Sequence, residues 1–243
     1  DRRITKEVGE NDVRLAQAPS KQREDLIATG QVDLIFATYS ITDERKEKVS
    51  FAGPYFIAGQ DLLVATDAKI TGPKDLDGKK LCSVTGSTSA QNVKAQLPNI
   101  ELQEYDSYSA CVEALRRGKV DALTTDESIL AGYSNFWKGE FRLVEMTYLK
   151  DACVKDALKT AGSPFSTERY GVGLALDDTA SQNAVNTALD AMLAPSVDGE
   201  SAWNAALREA LGNPYVDEII ARADRPDSKF PYLPDPGDLD FLD

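Results

Sequence analysis

The stretch Gln31-Val-Asp-Leu-Ile-Phe-Ala-Thr-Tyr-Ser-Ile-Thr-Asp-Glu-Arg45 combines a predicted buried strand with a polar segment that directly follows it. The strand, residues 31–37, is rich in β-branched and aromatic side chains. Ser40 and Arg45 therefore lie just beyond the carboxyl end of a strand. Crevices at that edge of an open α/β sheet are the usual ligand positions, so this stretch predicts both an α/β fold and a polar site.

Predicted strands and helices alternate along the rest of the chain. Strands are predicted at 13–17, 31–37, 62–65, 80–84, 102–105, 120–124, 141–145 and 171–176. Helices are predicted at 21–29, 90–97, 107–117, 127–137, 179–193 and 200–211. This alternation is typical of an α/β fold with mostly parallel sheets.

Composition excludes several classes of function. The 243 residues include 27 Lys and Arg against 40 Asp and Glu, a formal net charge of −13, which argues against nucleic acid as a partner. The sequence contains no histidine, so triads and metal sites built on imidazole are excluded. No stretch reaches the roughly 18 consecutive apolar residues of a membrane span. We expect neither a metal site nor a cofactor.

Three polar segments follow predicted strands, and together they offer groups for a zwitterion. They are Ser40–Arg45, the Gly86-Ser-Thr turn that opens a helix, and Thr124-Thr-Asp126. An arginine and free helix-terminus amides suit a carboxylate, and an aspartate suits an ammonium. Each segment alone is more often a surface charge or a helix cap. Their combination predicts a site for an α-amino acid.

The run from Gln31 to Tyr55 resembles the signature of the extracellular solute-binding proteins of family 3, the type II periplasmic binding proteins that serve ABC importers of polar amino acids. The resemblance spans about 13–211, and the context of Cys82 and Cys111 is most similar to that of actinobacterial lipoproteins that bind glutamate, glutamine, aspartate or asparagine. Further matching segments are Asp75-Leu-Asp-Gly-Lys79, Val84-Thr-Gly-Ser-Thr88 and Gly118-Lys-Val-Asp-Ala-Leu-Thr-Thr-Asp126.

The resemblance implies a two-lobe α/β fold, each lobe a mostly parallel sheet flanked by helices, with two hinge crossovers between the lobes. Residues 1–58 would begin lobe 1 without the usual first strand and helix. Residues 59–168 would form lobe 2, and 169–212 would return to lobe 1. Residues 213–243 would form an extended tail, and 147–163 would be an insertion folded as a short amphipathic helix.

The resemblance also implies a set of ligand contacts in this sequence. Arg45 would clamp the α-carboxylate, while the Thr38 carbonyl and Asp126 would hold the ammonium. Arg23 would pair with a side-chain carboxylate and favour acidic ligands over their amides, the alternative being a solvated arginine on a helix face. Hydroxyl and amide contacts are expected from Ser40, Gly86, Ser87 and Thr88.

Three cysteines allow two interpretations. They could be three buried thiols of a cytosolic protein, a possibility that composition leaves open. In the exported setting that the resemblance implies, Cys82 on a strand and Cys111 on the helix packed against it would form a disulfide, and Cys153 would stay free.

The resemblance predicts a receptor and not an enzyme. It would bind a polar or acidic amino acid between its lobes and deliver it to the membrane permease of an ABC importer. We expect a monomer outside the cell, held to the membrane as a lipoprotein by an anchor outside this chain. Two alternatives are the sensing domain of a receptor and a dehydratase built on the same fold.

Overall fold

A computed structural model describes residues 13–154, 157–197 and 199–223. The strands are β1 Leu34–Ser40, β2 Ser50–Ala58, β3 Gln60–Ala65, β4 Lys80–Val84, β5 Glu101–Tyr105, β6 Ala122–Asp126, β7 Phe141–Val144, β8 Ala152–Val154, β9 Ala157–Lys159 and β10 Glu168–Leu174. The α-helices are α1 Arg23–Ala28, α2 Asp43–Lys46, α3 Thr88–Gln96, α4 Tyr108–Arg116, α5 Glu127–Phe136, α6 Thr179–Leu193, α7 Ala202–Leu211 and α8 Asn213–Ala223. Short 3-10 helices cover Ser20–Gln22 and Pro73–Leu76.

The strands form two main sheets between which the chain crosses twice. The first has the order β1-β10-β2 and the second the order β5-β4-β6-β3-β7. Gly59 alone separates β2 from β3, and β10 brings the chain back to the first sheet. We call each sheet with its packed helices a lobe. The α/β class and two-lobe fold agree with the sequence analysis, whereas lobe boundaries at 58/59 and 168/169 remain a prediction.

The prediction of mostly parallel strands in each lobe is wrong for the first sheet. There, β10 runs antiparallel to both of its neighbours. In the second sheet, β4 is parallel to β5 and β6, but β3 is antiparallel to β6 and β7. The reason is topological: β1 and β2 point the same way, and the returning β10 lies between them.

Three local predictions are also wrong. The described residues of the segment 147–163, which are 147–154 and 157–163, contain no α-helix; β8 and β9 pair antiparallel there, and an isolated bridge joins Thr147 to Pro164. Residues 13–17 do not form a strand, and Leu15 is 80 % exposed, so this segment gains nothing from a hydrophobic face. The segment at 213–223 is the helix α8 and not extended tail.

Helix α8 forms because its apolar residues face a core. Val216 and Ile219 are buried in the cluster that β2, β10, α6 and α7 build behind the first sheet. Burial of such side chains stabilises a fold by about 1.5–3 kcal/mol each. The rest of the predicted tail, 224–243, lies outside the described residues.

Two hydrophobic clusters cover the faces of the second sheet, and one of them contains the disulfide. Cys82 on β4 and Cys111 on α4 are bonded and fully buried, as predicted. Cys153 is free and exposed on β8. No helix among the described residues is long and apolar enough to cross a membrane.

Candidate ligand-binding site

A small cavity between the two sheets brings together seven of the eight predicted ligand residues. The eighth, Gly86, contributes a carbonyl at its edge. The space left between the side chains is about 10 Å³, so the two lobes lie close together around it. The lining residues are Ser20, Arg23, Thr38, Ser40, Arg45, Ser87, Thr88, Ser89, Tyr108 and Asp126.

Arg45 connects the two lobes. The Thr42 hydroxyl accepts the Arg45 N–H and so caps α2 just beyond the end of β1. The guanidinium donates through Nη1 to the Ser40 carbonyl (2.7 Å) and through Nη2 to the Gly86 carbonyl (3.4 Å) of the other lobe, and its Nε pairs with Glu24 Oε1 (3.3 Å). A guanidinium has five N–H donors. One N–H on each terminal nitrogen therefore has no partner among the described residues and is left for a ligand.

Arg23 lies beside Arg45 and is equally buried. Each residue is 8 % exposed, and their guanidinium carbons lie 5.0 Å and 4.9 Å from the centre of the Tyr39 ring. Arg23 donates to the carbonyls of Ala18 (3.2 Å) and Thr38 (2.8 Å). Burial, together with the charge of Arg45, lowers the pKa of Arg23 from its usual value. The Thr38 carbonyl, expected to hold an ammonium, thus accepts from Arg23 in this structure.

Glu24 and Tyr39 complete this cluster, and sequence reasoning missed both. Glu24 Oε1 accepts the Tyr39 hydroxyl (2.9 Å) in addition to its contact with Arg45. Burial, followed by the nearby Glu24 charge, raises the pKa of Tyr39. A signal was available, because Glu24 directly follows Arg23 and Tyr39 directly precedes Ser40. One carboxylate therefore contacts both the Arg45 guanidinium and the Tyr39 hydroxyl.

The second lobe contributes the start of α3. Ser87 caps this helix, since its hydroxyl accepts the Ala90 N–H (3.0 Å) and donates to the Val84 carbonyl (2.7 Å). The Ser87 hydroxyl therefore acts as a helix cap in this structure, which is the alternative that the sequence analysis gave for this turn. Thr88 Oγ1 lies 3.4 Å from Ser40 Oγ across the cavity. The amino end of α3, which favours an anion, thus faces the carboxyl end of β1.

Asp126, the last residue of β6, lines the same cavity from the second lobe. It precedes α5, but its side chain makes no capping hydrogen bond. Its oxygens accept from Ser89 Oγ (3.2 Å) and the Tyr170 hydroxyl (2.7 Å), and the residue is 4 % exposed. Burial, followed by the charge of Glu168, raises the pKa of Asp126 to about 7, although the bonds from Tyr170 and Ser89 and the charge of Arg23 oppose that rise. A cation beside this carboxylate would keep it ionised.

The chain is similar to known proteins over most of its length. The family model described as bacterial extracellular solute-binding proteins, family 3, matches residues 2–197. The glutamate-binding protein GluB of Corynebacterium efficiens is 46 % identical over 233 residues, which cover 95 % of this chain and 69 % of that protein. The ABC transporter glutamine-binding protein GlnH of Bacillus subtilis is 34 % identical over 184 residues, covering 75 % of this chain and 61 % of that protein.

Solved structures of amino-acid-binding proteins are also similar to this chain in three dimensions. An ancestral arginine-binding protein bound to glutamine is similar with a TM-score of 0.66 and 26 % sequence identity, covering 86 % of this chain and 84 % of that one. A solute receptor for L-cysteine of Neisseria gonorrhoeae has a TM-score of 0.68 at 21 % identity, covering 88 % and 79 % of the two chains, and supports the fold alone. These matches extend over both lobes.

Proposed function

We propose that this chain, which belongs to the bacterial extracellular solute-binding proteins, family 3, binds an acidic amino acid between its lobes and delivers it to the permease of an ABC importer. The chain is a solute-binding receptor and not an enzyme. The proposal rests on one observation above all. Two buried guanidinium groups, from Arg23 and Arg45, line the same cavity as the carboxylate of Asp126.

The cavity lining offers a partner for each charged group of an amino acid. Arg45 has one N–H left on each terminal nitrogen, which suits two parallel hydrogen bonds to the α-carboxylate. The amino end of α3 adds backbone donors for the same group. Asp126 accepts the ammonium, a contact that favours the ionised carboxyl despite its burial.

Arg23 is the reason why we propose a ligand with an acidic side chain. Its two hydrogen bonds go to neutral carbonyls, and no carboxylate of the described residues forms an ion pair with it. A buried charge without a counter-charge is costly. A ligand carboxylate placed beside Arg23 would supply that counter-charge, and an amide would not. Two relatives named glutamate-binding proteins, 46 % and 47 % identical, make glutamate our first choice of ligand.

Ligand entry requires the lobes to separate. The cavity volume of about 10 Å³ is far below the ~300–1,000 Å³ of typical ligand pockets. We propose that Gly59 and the segment before β10 act as the hinge, because among the described strands the chain passes between the two sheets only there. We further propose that the receptor works as a monomer outside the cell, with a lipid anchor at the membrane. A buried disulfide fits such an oxidising compartment.

Isothermal titration with glutamate, aspartate, glutamine and asparagine tests the proposed ligand. We expect glutamate to bind most tightly. Arg45→Ala should weaken all four ligands by about 10²–10³-fold, because it leaves an α-carboxylate buried without its cation, and Arg45→Lys should restore only part of the loss. Tighter binding of an amide, or unchanged affinity in folded Arg45→Ala protein, would contradict the proposal.

A further inference from the structure

Tyr170 forms a hydrogen bond from one lobe to the ligand site of the other. It lies on β10, in the middle of the first sheet, where it pairs with Ser40 on one side and Phe56 on the other. Its hydroxyl donates to Asp126 Oδ2 at 2.7 Å, and Ser128 Oγ lies 2.9 Å from the same hydroxyl. Tyr170 is 3 % exposed, so water does not replace this bond.

We infer that β10 sets the ammonium affinity of the site through two residues: Tyr170, which orients and stabilises the Asp126 carboxylate, and Glu168, whose buried charge acts against that carboxylate. Both are positioning residues, because neither lines the cavity. This inference rests on the proposed function, in which Asp126 holds the ammonium of the ligand.

The two hydrogen bonds to Asp126 differ in their origin. Ser89, which donates to Oδ1 at 3.2 Å, belongs to α3 in the same lobe as Asp126. It therefore moves with the carboxylate when the lobes separate. Tyr170 belongs to the other lobe, so its bond depends on how the lobes are placed. The orientation of the carboxylate is thereby tied to closure of the cleft.

Glu168 lies two residues before Tyr170 and acts in the opposite sense. It is 4 % exposed, and Asn92 Nδ2 donates to its Oε1 at 3.3 Å. Its negative charge is the largest electrostatic influence that raises the Asp126 pKa after burial itself. β10 therefore presents one group that favours the ionised carboxylate and one that disfavours it.

Charged and titratable groups reach Asp126 from several elements. Arg23 of α1 and Tyr170 of β10 lower the pKa of Asp126, while burial and Glu168 of β10 raise it. Tyr108 of α4 also faces Asp126, whose charge contributes to a raised pKa of that phenol. With the Asp126 pKa at about 7, affinity for an amino acid should fall as the pH drops below 7, because protonation removes the charge that attracts the ammonium.

The test is the pH dependence of affinity in two variants with opposite expected shifts. Dissociation constants for glutamate and glutamine are measured by titration from pH 5.5 to 9 in wild type, Tyr170→Phe and Glu168→Gln. We call the fall in affinity at low pH the acid limb. Tyr170→Phe should move the acid limb to higher pH and weaken the binding of both ligands by about 10-fold at pH 8, since a bond to a charged group is lost. Glu168→Gln should move the acid limb to lower pH.

Controls separate this inference from the proposed function. Ser128→Ala removes the other neighbour of the Tyr170 hydroxyl and should leave the acid limb in place. Asp126→Asn should abolish the acid limb and most of the binding; if it binds like wild type, the proposed ammonium contact fails. If Asp126→Asn loses binding while Tyr170→Phe and Glu168→Gln keep the wild-type pH midpoint, only the role of β10 fails. Should Tyr170→Phe not fold, the shift in Glu168→Gln decides alone.

Discussion

Gly86 packs directly against the backbone of Lys21, so closely that a Cβ at position 86 would lie 2.8 Å from the Lys21 Cα. Lys21 belongs to the first lobe and Gly86 to the second, and the Lys21 ammonium also pairs with Asp106 of the second lobe at 2.7 Å. Real Cβ atoms do not approach backbone atoms this closely. The absence of a side chain at position 86 is therefore a condition for the closed arrangement.

Gly86→Ala should weaken ligand binding by about 10-fold or more through faster dissociation, because the added methyl group holds the lobes apart. Stopped-flow release of glutamate would measure the rate. Gly86 has a φ of +78°, so some loss also arises from backbone strain. Gly118→Ala is the matched control, since Gly118 has a φ of +63° but nothing within 4 Å of its added Cβ. Equal effects of the two substitutions would refute the steric explanation.

Arg23→Ala should weaken the binding of glutamate by about 10²-fold and the binding of glutamine much less. The expected difference arises because only glutamate offers a carboxylate as partner for this buried guanidinium. Titration with both ligands gives the ratio of affinities. Arg117→Ala controls for net charge, because Arg117 is an exposed arginine whose ion pair is with Glu113, four residues before it. Equal losses for glutamate and glutamine would show that Arg23 does not distinguish the side chains.

Replacing both Cys82 and Cys111 by alanine should lower the free energy of unfolding by about 3–4 kcal/mol. The disulfide closes a loop with a sequence separation of 29, and a cross-link of that span restricts the unfolded chain by this amount. Urea denaturation measures the change, and Cys153→Ala should leave stability unaltered because that thiol is exposed. Thiol titration of the unreduced, denatured protein should find one free thiol; finding three would contradict the bond.

The stability of the ligand-free protein should rise as the pH falls from 8 to 5. Burial raises the pKa of Asp61 to about 7 although its Oδ1 accepts the Met146 N–H at 2.9 Å, and Asp126 is also raised to about 7. Between the unfolded value near 4 and 7, the folded state binds more protons than the unfolded state, so stability is lost as the pH rises through this range.

Asp61→Asn tests that dependence, because asparagine keeps an oxygen that can accept the Met146 N–H but cannot ionise. Urea denaturation at pH 5, 6, 7 and 8 should give a smaller loss of stability with rising pH than wild type, with the largest gain in stability at pH 8. A variant whose stability changes with pH as steeply as that of wild type would rule out Asp61 as a source.

The sequence predicted those parts of the site that depend on where a residue stands relative to a neighbouring strand. Arg45 follows the end of β1 and Asp126 ends β6, so the alternation of strands and helices was enough to place each residue at the carboxyl end of its own strand. Glu24 and Tyr170 were missed because their roles depend on packing between distant segments. Tyr170, for example, reaches Asp126 over 44 positions of sequence and from another sheet.

The wrong secondary-structure predictions have the same physical origin. Local periodicity predicted a helix in 147–163, but residues 152–154 pair antiparallel with residues 157–159. Likewise, α8 was not predicted because its apolar residues gain their stability from a core that β2 and β10 build far away in the sequence. A local sequence pattern shows whether a segment favours helix, strand or coil. Where these preferences are nearly equal, burial in the tertiary structure decides which one forms.

The position of β10 has a consequence for the order in which the protein acquires structure during synthesis. All strands of the second sheet lie between residues 60 and 144, so that lobe can fold while the chain is still growing. Within the part of the chain that the structure describes, β1 and β2 share no ladder of their own and are joined only through β10, with Leu34 opposite Leu174. The sheet of the first lobe can therefore be completed only when β10, made more than a hundred positions later, is available. Pulsed hydrogen exchange during refolding should find the amides of β4 and β6 protected before those of β1; simultaneous protection would contradict this order.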